Sequence, residues 1–385
     1  MSSTSSPATR NKVDGTRPLP LSELKRWMSE DVFLWIKEGD EKQQQLDKEL
    51  EENAYMNASN LFGEAESDSE EEENRRRRVL HWSSSTTSPD GVGGFQQRKS
   101  TSSSSVVRDY YKVPGNGDGD GDDGGIKIVF ILSDSYEGFG DILWSSARYV
   151  ANTISNPITC RELLSPLLLS SQGNDDNDLD NLSSQQHPLQ GTSFLEVGAG
   201  AGVPSWAAMK CGANVVCTDL KDTNRIRSMA ECAERNFRQI GDDNDSLLAN
   251  AKKTRVCPHD WGSPTDGVVK ALNNNDSGCN DNDNEKEQRL FDVIIAADCC
   301  YMPWWHKELL DSIHKLLSGR GVAIISFALH GNTDDDDVWK LVDRAKDRGF
   351  VVEVLESQQL SPPSAAMESK QGLVHTVRLT KPMTM

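Results

Sequence analysis

Hydrophobic residues make up only 36% of the 385-residue chain and aromatic residues only 6%, too little apolar surface to build a core along the whole length. No apolar run approaches the roughly 18 residues that a membrane span requires, and the first thirty residues carry no signal-peptide core. Basic residues are in deficit: 41 Lys and Arg against 60 Asp and Glu leave a net charge of −19. That balance argues against nucleic acid or an anionic membrane as a partner and favours a basic protein at long range. The eight cysteines contain no C-x-x-C pair, so no metal site is expected, and buried reduced thiols in the cytoplasm are.

What apolar sequence there is lies unevenly. Residues 126–381 hold nearly all the strand-like runs, so the expectation is a mostly disordered region over 1–125 and one folded domain over 126–385. Within the first region, 21–37 has helical periodicity, with Leu21, Leu24, Met28, Val32 and Trp35 on one face and Trp27 and Ile36 beside it, suited to packing on the domain or acting as a lid. An acidic run at 64–73 is followed by Arg75–Arg78, and 83–105 and 115–125 read as linker.

The domain is organised around 194–220, FLEVGAGAGVPSWAAMKCGANVVCTDL. A short apolar strand meets Gly198, Gly200 and Gly202, which permit a sharp turn and close approach of a ligand. Pro204 and Ser205 open a helix that Gly212 ends, and a second strand closes on Asp219, placed to accept the two hydroxyls of a ribose. A nucleoside cofactor follows as the working expectation. Val203 occupies the third-glycine place of a G-x-G-x-x-G fingerprint, which counts against a nicotinamide dinucleotide.

On either side the pattern continues. A strand at 126–132 and a helix at 141–154 come first, with Trp144 near the helix start as a core residue or a wall of the site. After a polar insertion at 173–191 and the central unit come an amphipathic helix at 223–240, a second polar insertion at 241–253 and a short strand at 255–257. Asp260 and Trp261 follow that strand, placed to bond and stack on a purine or to anchor the loop. A third insertion spans 273–288. The strand FDVIIAA ends at Ala297, with Asp298 and Tyr301 just beyond it, on the same side of a parallel sheet as Gly198 and Asp219. A helix over 304–317, a strand over 322–327 ending near His330, a helix from 334, and strands at 351–355 and 373–379 complete the chain. The last two form an antiparallel hairpin at the sheet edge.

Five strand–helix units followed by a hairpin resemble the fold of S-adenosylmethionine-dependent methyltransferases: α/β and Rossmann-like, a seven-stranded sheet, parallel with a C-terminal antiparallel hairpin, helices on both faces. More narrowly, Trp144 in DILW, Glu196 to Gly202 (EVGAGAG), Asp219, the pair Asp260 and Trp261, and Asp298 to Tyr301 (DCCY, matching D-x-x-Y) resemble the small lysine methyltransferases that act on folded proteins. His306, Phe327 to His330 (FALH) and Asn60, Leu61 and Phe62 are similar to the fungal nicotinamide N-methyltransferase-like branch, which methylates the N-terminal region of elongation factor 1-alpha. The chain departs from that branch in Tyr301, often Phe or Trp there, in its three insertions and in its N-terminal tryptophan helix.

The resemblance implies a cytoplasmic, monomeric protein N-methyltransferase with S-adenosylmethionine as cofactor and a protein substrate, elongation factor 1-alpha among the candidates. It implies the cofactor's methionine end over Gly198, Ala199 and Gly200 in the turn that runs from Glu196 to Gly202. The ribose would lie on Asp219, the adenine near Asp260 and Trp261, with Ala297 as the floor and Trp144 as a side wall. Asp298 would hold the incoming amine and Tyr301 orient it, with His306 or His330 either a route for the proton or a structural group. A methyltransferase of small amines and a cofactor-binding scaffold without turnover are the alternative functions.

Overall fold

A strand covered on both faces sends alternate side chains to opposite sides, and the strands here supply two separate apolar cores in that way. The computed structural model describes residues 18–61, 107–113, 125–132, 142–170, 186–241, 244–273, 289–329, 334–360 and 372–382. Its strands are β1 Val107–Lys112, β2 Lys127–Leu132, β3 Ser193–Glu196, β4 Asn214–Asp219, β5 Arg255–Pro258, β6 Phe291–Ala297, β7 Leu317–Ala328, β8 Val351–Gln359 and β9 Leu373–Thr380. Its helices are α1 Leu21–Leu24, α2 Glu30–Leu61, α3 Ser145–Ser155, α4 Pro157–Leu163, α5 Ser165–Ser170, α6 Val203–Lys210, α7 Thr223–Phe237, α8 Asp245–Ala251, α9 Asp266–Asn273, α10 His306–Leu316 and α11 Asp335–Asp347.

Seven strands form one sheet in the order β5-β4-β3-β6-β7-β9-β8. Pairing is parallel from β5 through β7, and β9 runs antiparallel to both β7 and β8. Val215, Cys217, Val293 and Ile295 face a core closed by α3, α6 and α7, whereas Val216, Ile294 and Ala296 face one closed by α9, α10 and α11. Helices therefore cover both faces, as the Rossmann-like expectation requires. The chain moves outward from β3 to β5 and then returns to β6 on the other side of β3. That reversal opens a crevice at the carboxyl ends of β3 and β6.

The expected strand at 126–132 forms, but outside this sheet. It pairs antiparallel with β1 as a two-stranded ribbon across the boundary expected near residue 126. The Asn236 side chain on α7 accepts from the Val129 N–H and donates to the Val129 carbonyl, so a helix side chain serves this strand where a sheet neighbour would otherwise do so. The insertion expected over 241–253 contains α8, capped by Asn244, whose side chain accepts from the Leu247 N–H. The helix expected over 304–317 begins as a 3-10 turn, Pro303–Trp305, and its end passes directly into β7, which is longer than the strand expected over 322–327. Phe62, the acidic run, Arg75–Arg78, Asp141 and His330 lie outside the described residues, as do 171–185 and 274–288, the greater part of two expected insertions.

The helix expected over 21–37 is broken. α1 and a 3-10 turn, Lys25–Trp27, end at Met28, whose backbone is extended, and α2 begins beyond it. The break turns Trp27 into the protein against α7. There its indole Nε1 donates to Glu234 Oε2 at 2.8 Å, and the Arg26 guanidinium lies over both the Trp27 and the Phe237 ring, which meet edge to face. α2 then runs beside the start of α7, where Arg227 pairs with Asp40 at 2.9 Å. Burial pushes the Glu234 carboxyl up, but Arg238, Trp27 and Arg26 outweigh it and hold it below its usual range. A carboxyl depressed in the folded state stabilises above its unfolded pKa and loses that contribution as pH falls through the folded value. Glu234→Ala should cost about 2 kcal/mol in urea denaturation, since it leaves buried donors without an acceptor. It should also expose the segment around Met28 to limited proteolysis, as should acidification below about pH 4.

Candidate active site

The turn after β3 has three glycines at positive φ, and the fold uses each differently. Gly198 stands at φ 63°, and a Cβ there would lie 2.8 Å from both Cys299 Sγ and Trp261 Cζ2. Gly202 stands at φ 68°, and a Cβ there would meet the Trp206 indole at 2.8 Å. These two make room for the protein's own side chains. At Gly200, φ 53°, a Cβ would meet no atom of the described residues within 4 Å beyond its chain neighbours, so it is the glycine that opens onto space. Ala199 donates its N–H to the Thr218 carbonyl, which holds the turn over β4.

Glu196 lies beneath this turn and does not line the crevice. It is 1% exposed, and its Oε2 accepts the Ser205 N–H at 2.8 Å, satisfying the start of α6. Burial pushes its carboxyl up to about 8 from the ordinary 4.5; its hydrogen bonds with Ser205 pull the other way, and Asp219 adds to the rise.

Asp219 ends β4 almost completely buried. Its Oδ2 accepts the Gly200 N–H at 2.6 Å, and its Oδ1 accepts the Leu220 N–H at 2.8 Å and Arg225 Nη1 at 3.2 Å. Arg225, which the sequence pattern left unnoticed on the amphipathic helix α7, is buried, and its Nε and Nη2 have no partner among the described residues. Leu220 beside it is 43% exposed, a large apolar side chain next to a buried acid. Asp260 joins the same rim: it is exposed, and its Oδ1 accepts the Lys221 N–H at 3.0 Å. Trp261 lies over Gly198.

Across the crevice, β6 ends at Ala297, half-buried, and Asp298 follows at φ 59°. Among the described residues it is the one non-glycine residue in the left-handed region, a conformation that Asp tolerates better than most. Its N–H donates to the Ser326 carbonyl at 2.7 Å and its Oδ1 accepts from the Ala328 N–H at 3.3 Å, so β7 sets its orientation. Cys299 Sγ reaches back to the Val197 carbonyl at 3.3 Å, tying the two strand ends together. Tyr301 follows, half-buried. Burial pushes its phenol well above the usual range, and Cys299, Asp219 and Asp298 push the same way while Arg225 opposes them.

His306 is held in one tautomer. Its Nδ1 faces the Arg344 guanidinium at 2.9 Å, and an arginine only donates. Nδ1 is therefore the acceptor and Nε2 carries the hydrogen, donated to the Cys300 carbonyl at 2.9 Å. The imidazole is fully buried, and burial lowers its pKa. Trp144 is half-buried at the N-terminal end of α3, a helix packed against α6 and the strands β6, β7 and β9. Among the described residues no group of three or more His, Cys, Asp or Glu could hold a metal ion, and no helix is long and apolar enough to cross a membrane.

The chain is similar to fungal proteins named protein N-terminal and lysine N-methyltransferase. It is 28% identical to EFM7 of Gibberella zeae over 178 residues, covering 46% of this chain and 63% of that protein. For efm7 of Aspergillus fumigatus the figures are 27% over 199 residues, 51% and 59%. For efm7 of Schizosaccharomyces pombe they are 25% over 201 residues, 51% and 70%. The match thus spans less than two thirds of the first two relatives. No family model matches the chain. Similar solved structures include a TehB-like SAM-dependent methyltransferase from Corynebacterium glutamicum, at 20% identity and TM-score 0.28 over 50% of this chain and 82% of that one. Another is magnesium protoporphyrin IX methyltransferase from Synechocystis with bound SAM, at 13% identity and TM-score 0.33 over 65% and 88%.

The raised Glu196 carboxyl has a thermodynamic signature. A group whose folded pKa lies above its unfolded one stabilises fully below the unfolded value, and that contribution is lost as pH rises through the folded one, here from about 4.5 to about 8. Glu196→Gln keeps the acceptor for the Ser205 N–H without the titration. Thermal denaturation from about pH 5 to 8 should show the parent losing stability relative to this variant, by at most about 1.4 kcal/mol per pH unit. Parallel pH profiles would mean that Glu196 is charged in the fold.

Proposed function

We propose that the chain is an S-adenosylmethionine-dependent N-methyltransferase acting on a protein amine, a lysine or an N-terminal α-amine. The observation that carries this reading is the placement of two buried carboxylates on opposite sides of the strand-order reversal, Asp219 at the carboxyl end of β4, where it holds the Gly200 N–H, and Asp298 just past that of β6. The names of the fungal relatives support the choice of acceptor. Elongation factor 1-alpha as that acceptor, met by a monomer in the cytoplasm, is part of the same proposal. The free, buried state of every described cysteine is consistent with a reducing compartment.

The crevice fits an oxygen-rich nucleoside. Gly200 leaves a cradle, open among the described residues, that a Cβ would fill, and Arg225 presents beside Asp219 two buried donors with no acceptor among those residues. Asp219 and Arg225 would hold the ribose hydroxyls, with Gly198, Ala199 and Gly200 beneath the methionine end. Leu220, Asp260 and Trp261 would flank the base, and Ala297 and Trp144 would line the remaining walls. Glu196 and Gly202 contribute by shaping the turn. When bound, S-adenosylmethionine supplies an electrophilic sulfonium methyl group.

The chain's own task is then to orient an amine and leave it neutral. Removing the proton from a lysine near pKa 10.4 costs roughly 4 to 5 kcal/mol at pH 7, and from an α-amine near 8 about 1. Asp298, held at the mouth of the crevice by β7, offers a carboxylate to the incoming ammonium. Tyr301, whose phenol stays protonated, fixes the direction of the nitrogen lone pair. His306 acts through position alone, holding the Cys300 carbonyl between them.

Asp298→Asn retains the shape and the tolerance of a left-handed backbone while removing the charge. Methyl transfer at saturating cofactor should fall at least about 100-fold, with S-adenosylhomocysteine affinity nearly unchanged in calorimetry; a near-parental rate would remove Asp298 from the chemistry. Gly200→Ala places a methyl group in the open cradle. Cofactor affinity should drop about tenfold or more, for a folding cost of about 1 to 2 kcal/mol. Labelled methyl groups should enter protein and not small amines when cell extract is supplied, and the reverse distribution would favour a small-molecule acceptor.

A further inference from the structure

Three residues beyond Tyr301, two tryptophans stand in solvent. Trp304 is 69% exposed and Trp305 43% exposed, although tryptophan is among the side chains that gain most from burial. They do not sit on a loose loop. Pro303 beneath them is buried, the Trp305 N–H donates to the Met302 carbonyl at 3.0 Å, and Arg344 donates to the Pro303 carbonyl. The same Arg344 faces His306 Nδ1, and His306 holds the Cys300 carbonyl. One rigid frame therefore joins the exposed pair to the Asp298–Tyr301 turn and sets their separation.

The surface alongside is acidic. α11 packs against the Pro303–Trp305 turn, and Asp337 in its first turn acts on His306 and on Arg344. The N-cap Asp334 and Asp335 and Asp336 are exposed at that same end, and Lys340, one turn further along, is paired with Asp337. Aromatic faces beside carboxylates suit a cationic side chain, which gains from the ring quadrupole and the negative charge together. They disfavour phosphate-bearing partners, and a second copy of a chain carrying −19 would be repelled.

We propose that Trp304 and Trp305, with the acidic first turn of α11, form the docking face for a lysine- or arginine-bearing segment of the protein substrate flanking the acceptor amine. The proposal rests on the methyltransferase reading above and specifies what the substrate must carry beyond its amine. Recognition is by charge and aromatic contact a short way from the reacting nitrogen, so acceptors with acidic flanks are rejected by the same surface.

The test uses the full chain and two synthetic peptides with one acceptor lysine each, one flanked by lysine and arginine and the other by glutamate. S-adenosylhomocysteine serves as the probe of the cofactor site. Calorimetric titration should give binding of the basic peptide that weakens about tenfold in Trp304→Ala/Trp305→Ala and in Asp335→Asn/Asp336→Asn, and also weakens as salt is raised. S-adenosylhomocysteine affinity and melting temperature should remain those of the parent in both variants. Equal affinity for the two peptides, or basic-peptide affinity within twofold of the parent in the double tryptophan variant, would overturn the docking face. So would self-association, seen in sedimentation, that the tryptophan variant abolishes without affecting peptide binding. Failure of S-adenosylhomocysteine to bind the parent would instead count against the methyltransferase reading, and the peptide titrations would still decide the surface.

Discussion

The carboxylate of Asp219 is the constraint on which the crevice depends. A buried charge must be answered by a counter-charge and hydrogen bonds or the fold loses several kcal/mol. Here the answers come from the Gly200 N–H, the Leu220 N–H and the Arg225 guanidinium. Its backbone carbonyl in turn accepts the His259 N–H at the end of β5. A single residue thereby fixes the glycine turn, the carboxyl end of β4, the first turn of α7 and the exit of β5. The ligand-facing geometry is thus set by an ion pair inside the protein before any ligand arrives.

The opposite wall is built by different means. Asp298 is held in a left-handed conformation by backbone contacts from β7, and Cys299 Sγ bonds back to the end of β3. Strain of this kind persists where neighbours over-determine it, and it tends to gather at sites with work to do. The two walls are mechanically linked through the packing of Cys299 and Trp261 on Gly198. A displacement on one side is felt on the other.

The sheet was legible in the sequence wherever a strand was short, apolar and closed by glycine or acid, as in FDVIIAA before Asp298 and NVVC before Asp219. The strand-end rule then gathered Gly198, Asp219, Asp298 and Tyr301 into one crevice without any tertiary information. What local pattern could not show was everything decided by distant partners. Trp27 meets Glu234 across 207 positions, so its burial leaves no trace in the periodicity of 21–37 beyond an apolar face. β2 resembles a sheet strand in composition and is diverted by the side chain of Asn236. The three glycines look alike in a motif and differ only by what lies over them. His306, open in the sequence to two roles, is held in one tautomer by Arg344, 38 positions away.

The order of strands at the sheet's far edge has a consequence for biosynthesis. β9 is translated after β8 but lies between it and β7, and β8 has no neighbour in the sheet except β9. A nascent chain that has extruded β8 alone leaves the edge of β7 bare and β8 without a ladder to join. Insertion of β9 completes both at once, and Arg378 on it reaches back to the carbonyls of Glu162 and Leu163 and to Ser165 Oγ, ahead of the glycine turn. Temporal and spatial order thus run against each other at this edge. A segment made early is latched by a strand made late.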